Sequence, residues 1–140
     1  MSVADTAIAR MQALAQACTT VTIRLAPDYP ISDASMLPLS IAHLVEGSGQ
    51  ADTADQTRLL LIANVDIHFA RQSLKDAYQK IDAVAVEYLQ RLAGDPTLKG
   101  TIDTIVFPVT FTVSPAQWDN VQTQMISFVI QFKELTTPLP

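Results

Sequence analysis

The chain has 140 residues, 49% of them apolar, with 9 Lys+Arg against 14 Asp+Glu. That size fits one folded domain and leaves little room for two, and the apolar share excludes a disordered chain. A net charge of −5 and a pI near 4.7 argue against a protein that holds DNA or RNA by neutralising phosphates, and no Lys/Arg cluster offsets that balance.

At this length folding buries roughly 68% of the surface of the unfolded chain, so a core needs neither disulfides nor a structural metal. The lone Cys18 cannot form an intrachain bridge; in its alanine-rich stretch it reads as a small buried thiol rather than a reactive one. The N-terminus, MSVADTAIARM, lacks the basic flank and long apolar run of a secretory signal, so synthesis is expected to end in the cytoplasm. The longest apolar run, Leu59 to Ala63, is far short of the roughly 20 residues that cross a bilayer, so the chain reads as soluble with no membrane partner.

Ser2 and Asp5 have capping-box spacing, and Ala4, Ala7, Ile8, Met11, Leu14, Ala15 and Cys18 follow at helical period, which predicts a helix over 3–18. Its alanine-built face allows close approach to a sheet or to another copy. Val21, Ile23 and Leu25 then alternate with Thr20, Thr22 and Arg24, predicting a half-buried strand up to Ala26. Residues 27–38, PDYPISDASMLP, read as a long loop that is either a contact surface or an ordered strap over one end of the core.

Leu39, Ile41, His43 and Val45 share one face of a strand, and Leu59, Leu61, Ala63, Val65, Ile67 and Phe69 share one face of a longer strand over 57–70. The two form a hairpin whose polar, glycine-bearing tip, residues 47–56, is expected to be exposed and mobile, left to solvent or ordered by a partner. Ser73 and Asp76 open a second helix, in which Leu74, Ala77, Tyr78, Ile81, Val84, Ala85, Tyr88, Leu89 and Leu92 keep a strict helical period up to Gly94. Strands follow at 101–113 and 121–134, joined by a turn over 114–120. Pro108 puts the first of them at a sheet edge or bends it. The second has Ile126, Phe128, Ile130 and Phe132 on one face; Thr123, Ser127, Gln131 and Lys133 opposite suggest a solvated side or a polar seam between subunits.

The expected fold is one α+β domain over 1–140, a mainly antiparallel sheet with two helices packed on one face, in the order α-β-β-β-α-β-β, with a loose tail at 135–140.

The four glycines, at 47, 49, 94 and 100, form no phosphate-cradling pattern. A Ser or Cys nucleophile needs a histidine base, and only His43 and His68 exist. Asp66 and His68 share a strand face beside Asn64, as an acid–base or metal pair would, although alternate polar residues also describe the solvent side of a strand and no third ligand is evident. His43 reads as structural, and pairing around the tip sets it opposite residues near position 60, away from His68. Asp52 and Asp55 lack EF-hand spacing. Trp118, in the turn, is either a plug over the end of the core, the preferred reading, or an interface anchor. No catalytic, cofactor-binding or metal residue is assigned. Candidate subunit or partner contacts are Asp28 and Tyr29 in the proline-rich loop, Gln50 and Asp52 at the hairpin tip, and Trp118.

A strand, NVDIHFARQ, leads into the helix SLKDAYQKIDAVAVEYLQRLAG, then the short loop Asp95-Pro96-Thr97-Leu98-Lys99-Gly100 followed by TIDTI, and a closing strand MISFVIQFKE. Over this span, Asn64 to Glu134, the chain resembles the tail terminator and tail completion proteins of long-tailed bacteriophages. Lys99 stands where the family often has a second glycine, and residues 47–56 do not align with it. The resemblance implies a structural virion protein without catalytic residues. It forms a ring, commonly of six copies, at the head-proximal end of the tail tube, where it ends tube growth and contacts the tube protein and the head–tail connector. Genomic DNA would meet it only in passage through the lumen, which an acidic protein suits. Self-association is expected through strand edges and the loops at 27–38 and 47–56. Another phage neck protein, a connector or stopper, and a small cytoplasmic enzyme or ligand-binding domain using Asp66 and His68 are the alternatives.

Overall fold

The computed structural model describes residues 3–28, 30–31, 36–53 and 55–136. Its elements run α1 (Val3–Gln16), β1 (Leu39–Thr53), β2 (Gln56–Ala70), α2 (Leu74–Ala93), β3 (Thr104–Trp118) and β4 (Val121–Thr136). The strands form one sheet in the order β1-β2-β4-β3, every neighbouring pair antiparallel. Both helices pack on the same face, giving the α+β sandwich expected from the sequence. No helix among the described residues is long and apolar enough to cross a membrane.

The period-2 row of β2 sets the core. Ala63, Val65, Ile67 and Phe69 point at the helices and are fully or almost fully buried. The register places Ile130, Phe128 and Ile126 of β4 beside Ala63, Val65 and Ile67. Each large apolar side chain removed from water here contributes about 1.5–3 kcal/mol, which is why the two central strands carry the largest ones. Tyr88 of α2 lies edge-on to Phe128, with ring centroids 4.8 Å apart. Its hydroxyl donates to the Met11 carbonyl of α1 at 3.0 Å.

On β1, Leu39, Ile41 and His43 share one face, as expected, but it is the face away from the helices, and Val45 falls in a register break. Ser40 and Ala42 pair with Ile67 and Val65 and point at α1, while Leu39, Ile41 and His43 lie on the second face. The reason is α1 itself: its buried Gln12 needs partners, donating from Nε2 to the Ser40 carbonyl at 2.8 Å and to the Pro27 carbonyl at 2.9 Å, and accepting from the Ser40 hydroxyl at 2.6 Å. Small side chains on β1 leave room for that helix to approach.

The strand expected over 20–26 does not form; α-β-β-α-β-β is the observed order. Val21 and Ile23 are buried as their alternation implies, but the segment meets the sheet only through a single parallel bridge from Leu25 to Leu39. Burial of alternate residues was correctly indicated by the pattern; a ladder was not. The segment is instead fastened by Glu87 of α2, whose carboxylate accepts from the backbone of Thr19 and Thr20, each at 2.8 Å, and from the Thr20 hydroxyl at 2.6 Å.

The hairpin tip also differs. β1 and β2 continue to Thr53 and Gln56, so residues expected to form a mobile loop are mostly ladder. Gly47 and Gly49 pair with Leu61 and Leu59, and a Cβ on Gly47 would stand 2.6 Å from the Leu61 Cδ2. These glycines mark a close cross-strand approach, not a turn. The 114–120 turn likewise shrinks to Asp119-Asn120, both at positive φ (52° and 60°), the conformation a two-residue type I′ hairpin requires. Of the expected loose tail, Leu135 and Thr136 belong to β4, and the Leu135 N–H donates to Asp103 Oδ2 at 3.0 Å; residues 137–140 lie outside those described.

The loop after α2 is held by Asp95, which accepts from the Lys99 N–H at 2.9 Å and from Arg10 Nε of α1 at 2.8 Å. Leu98 and Lys99 have φ of 49° and 56°. Lys99→Gly keeps the Asp95 bond and relieves a left-handed residue, so it should stabilise the protein by about 0.5–1 kcal/mol in urea titration.

Burial raises the pKa of Glu87, but the bonds from Thr20, Thr19 and Arg91 outweigh it and bring the value from 4.5 to about 2. Its contribution is therefore complete above about pH 4.5, where the unfolded carboxyl is also ionised, and is lost as pH falls toward 2. Glu87→Gln should cost about 1–2 kcal/mol at pH 7, and urea titrations repeated down to pH 2.5 should show the difference from wild type shrinking steadily.

Candidate functional site

Two regions of the sheet carry the residues of interest: a polar cluster on the second face at the start of β1, and the two edge strands.

The cluster follows from strand parity. His68 of β2, Thr123 of β4 and Trp118 of β3 all fall on the face away from the helices. Trp118 reaches across β4 to stack obliquely on His68, with centroids 5.6 Å apart. His68 Nδ1 pairs with the Thr123 hydroxyl at 2.8 Å. His68 and Thr123 are buried, as are Leu39 and Ile41 nearby, so this end of the second face is not the solvated side expected from Thr123, Ser127, Gln131 and Lys133; only Lys133 of those four is exposed.

Asp66 does share the face with His68, as the spacing implies, and Asn64 follows them. Asp66 and His68 are already engaged: Ser127 Oγ donates to Asp66 Oδ1 at 2.5 Å, and His68 is bonded to Thr123. Among the described residues no three His, Cys, Asp or Glu side chains gather closely enough to hold a metal ion. His43 pairs with Asn64 and His68 with Leu39, so the two histidines stay apart as expected, although His43 sits opposite 64 rather than 60. Cys18 is buried and unbridged; burial and then the Glu87 charge push its thiol up to about 11, which suppresses the thiolate.

The candidate contact residues do not form one site. Asp28 is exposed beside the start of β1, and Gln50 is exposed in β1 opposite Arg58. The backbone of Asp52 lies in β1 near the hairpin turn. Eleven residues of strand, about 36 Å, separate Leu39 from Gln50. Tyr29 lies outside the described residues. Trp118 is not in a turn: it is the last residue of β3, paired with Val121, and its ring packs on His68 on the face away from the helices. No sequence signal pointed to Thr123 as the partner of His68, because the β2–β4 register that joins them spans 55 residues of chain.

The edges are a second candidate. β1 and β3 are each 15 residues long, about 50 Å, whereas α2 with 20 residues is about 30 Å long. The helices pack against β1, β2 and β4; on β3 Phe111 and Val113 stay exposed, as does Phe107. Pro108 lies in a register break between Val106 and Thr110, so this strand is both at the edge and bent. β3 contains no charged residue.

Burial lowers the His68 pKa from 6.5, with the nearby Asp66 charge opposing. The native state thus favours neutral imidazole, and stability is lost as pH falls below 6.5 and the unfolded histidine takes up its proton. Trp118, the only tryptophan, reports on this directly: its emission should stay flat from pH 8 through 6.5 and be quenched only at lower pH as His68 charges. In His68→Gln that quenching should vanish.

No model of a known protein family matches the chain, and no curated protein matches it.

Proposed function

We propose that the chain is a structural component of a bacteriophage virion, a ring-forming protein at the head-proximal end of the tail tube that ends tube growth and joins tail to head. The observation that carries this reading is the sheet's two long edges: β1 is met by one bridge, at Leu39, and β3, uncharged and exposing aromatic side chains, has no further strand beside it among the described residues. Monomeric proteins guard such edges with charges, very short strands or covering segments, because unpaired backbone groups recruit further strands. On β3 the guards are Pro108, with its register break, and Pro115; the strand carries no charge, and a permanent neighbour would explain that absence.

Two further features support it. The succession of strand, helix, short Asp95-to-Gly100 loop and two strands, on which the resemblance to tail terminators rests, is the succession of β2, α2, loop, β3 and β4. A charge of −5 in each copy would line a ring with net negative potential, so DNA passing through it would be repelled rather than held. The partners in this reading are further copies, the tail tube protein and the head–tail connector, and the role calls for no cofactor.

Native mass spectrometry of the purified protein tests it. A ligand-free ring of about six copies is expected, that number coming from the resemblance. A monomer or dimer that also fails to bind isolated tail tubes would overturn the reading.

A further inference from the structure

The two sheet edges share a geometric relationship that suits them to each other. In the order β1-β2-β4-β3, with every pair antiparallel, β1 and β4 run one way and β2 and β3 the other. The edge strands are therefore antiparallel to each other. A second copy placed alongside in the same orientation can set its β1 against β3 of the first, continuing the antiparallel alternation and keeping all helices on one face.

The irregularities match as well. β1 departs from its register between Leu44, paired with Ala63, and Glu46, paired with Ile62. β3 departs between Val106, paired with Gln131, and Thr110, paired with Val129. Because Ala63 pairs with Ile130, both breaks lie at one row of the sheet. Each edge exposes apolar side chains there: Leu44 and Val45 on β1 (45% and 51% exposed), Phe107 on β3 (47%). Two rows on, Ala42 and Phe111 share a row through Val65 and Phe128, so a neighbouring copy would lay a small residue beside a large exposed ring. That copy's α1, which packs on its own β1, would arrive beside the uncovered Phe111 and Val113.

We propose that copies of the chain join head to tail, the β1 edge of one against the β3 edge of the next, with Leu44 and Val45 packing on Phe107 and Phe111. The occupant is a second copy and not an unrelated strand, because this chain itself supplies an edge strand of equal length, opposite direction and matching break, met by its own chain only at Leu39 and Ser40 among the described residues. β3 adds no charge to oppose Glu46 of β1, so the two edges meet there without like-charge repulsion. This contact rests on the ring reading above, since same-orientation copies are what a closed ring requires.

Val45→Glu and Phe107→Lys test it, both at exposed positions where the fold tolerates a charge. Sedimentation velocity over a concentration series should show each single variant associating at least about tenfold more weakly than wild type, with unchanged thermal unfolding. The double variant, which places Glu against Lys in every contact, should recover assembly. If wild type assembles and both single variants match it, the contact is overturned while the ring stands. A wild-type chain that stays monomeric overturns the contact in free protein and leaves the ring reading to be judged on tube binding.

Discussion

The fold depends on how Tyr88 is buried. It is fully enclosed, with its ring against Phe128 and its hydroxyl bonded to the Met11 carbonyl. It joins both helices and the sheet at one residue. Burying the ring contributes about 2–3 kcal/mol, and a stranded hydroxyl would cost about 1–3 kcal/mol, enough to cancel the gain. α1 must therefore lie where its backbone carbonyl meets the phenol. That position then dictates β1: Gln12, one residue along, is forced into the interior and takes Ser40 as its partner. Desolvation also raises the tyrosine's pKa, so the hydroxyl remains a donor throughout the accessible pH range.

From this chain of constraints it follows which parts of the fold could be read from sequence. α2 and the faces of β2 and β4 are legible because each has an unbroken apolar row, in β4 Ile126 to Phe132, and the period admits one answer. β1 misleads because its apolar residues, Leu39 and Ile41, lie on the second face, while the face against α1 is occupied by Ser40 and Ala42; alternation reports a difference between faces, not which face meets the helices. Gly47 and Gly49 mislead for a related reason. Glycine suits a turn and equally suits a strand on which leucines lie, and only the register distinguishes them. The 20–26 segment shows the same limit, with correct burial and no ladder.

The site was less legible than the fold. Asp66 and His68 can be placed on one face by counting, but the partners that decide their chemistry, Ser127 and Thr123, come from a strand far along the chain. Ser114, Pro115, Asp119 and Asn120 are turn-forming residues, so the sequence reads Trp118 as part of a turn. Pro115 is tolerated within the strand because β3 is an edge and need not donate on its outer side. The same fact that made β3 hard to recognise as a strand is what makes its edge available.

An even number of alternating strands has a consequence for assembly. With three or five, the two edges would run parallel to each other, and a copy added in the same orientation would have to form a parallel contact at every joint. With four, each joint would repeat the antiparallel pairing already used inside the chain, so the proposed assembly would need no geometry that the monomer lacks. Whether such an array closes or grows depends on the angle between successive copies, and an open array would be a fibre. The breaks at Val45 and at 107–109 bear on that choice. Bulges bend a strand and increase its local twist, and two of them at one row would concentrate the turn between copies at a single level of the sheet. A flat edge would favour indefinite extension; an edge bent in the same place on both sides favours a fixed rotation per copy, the condition for a ring.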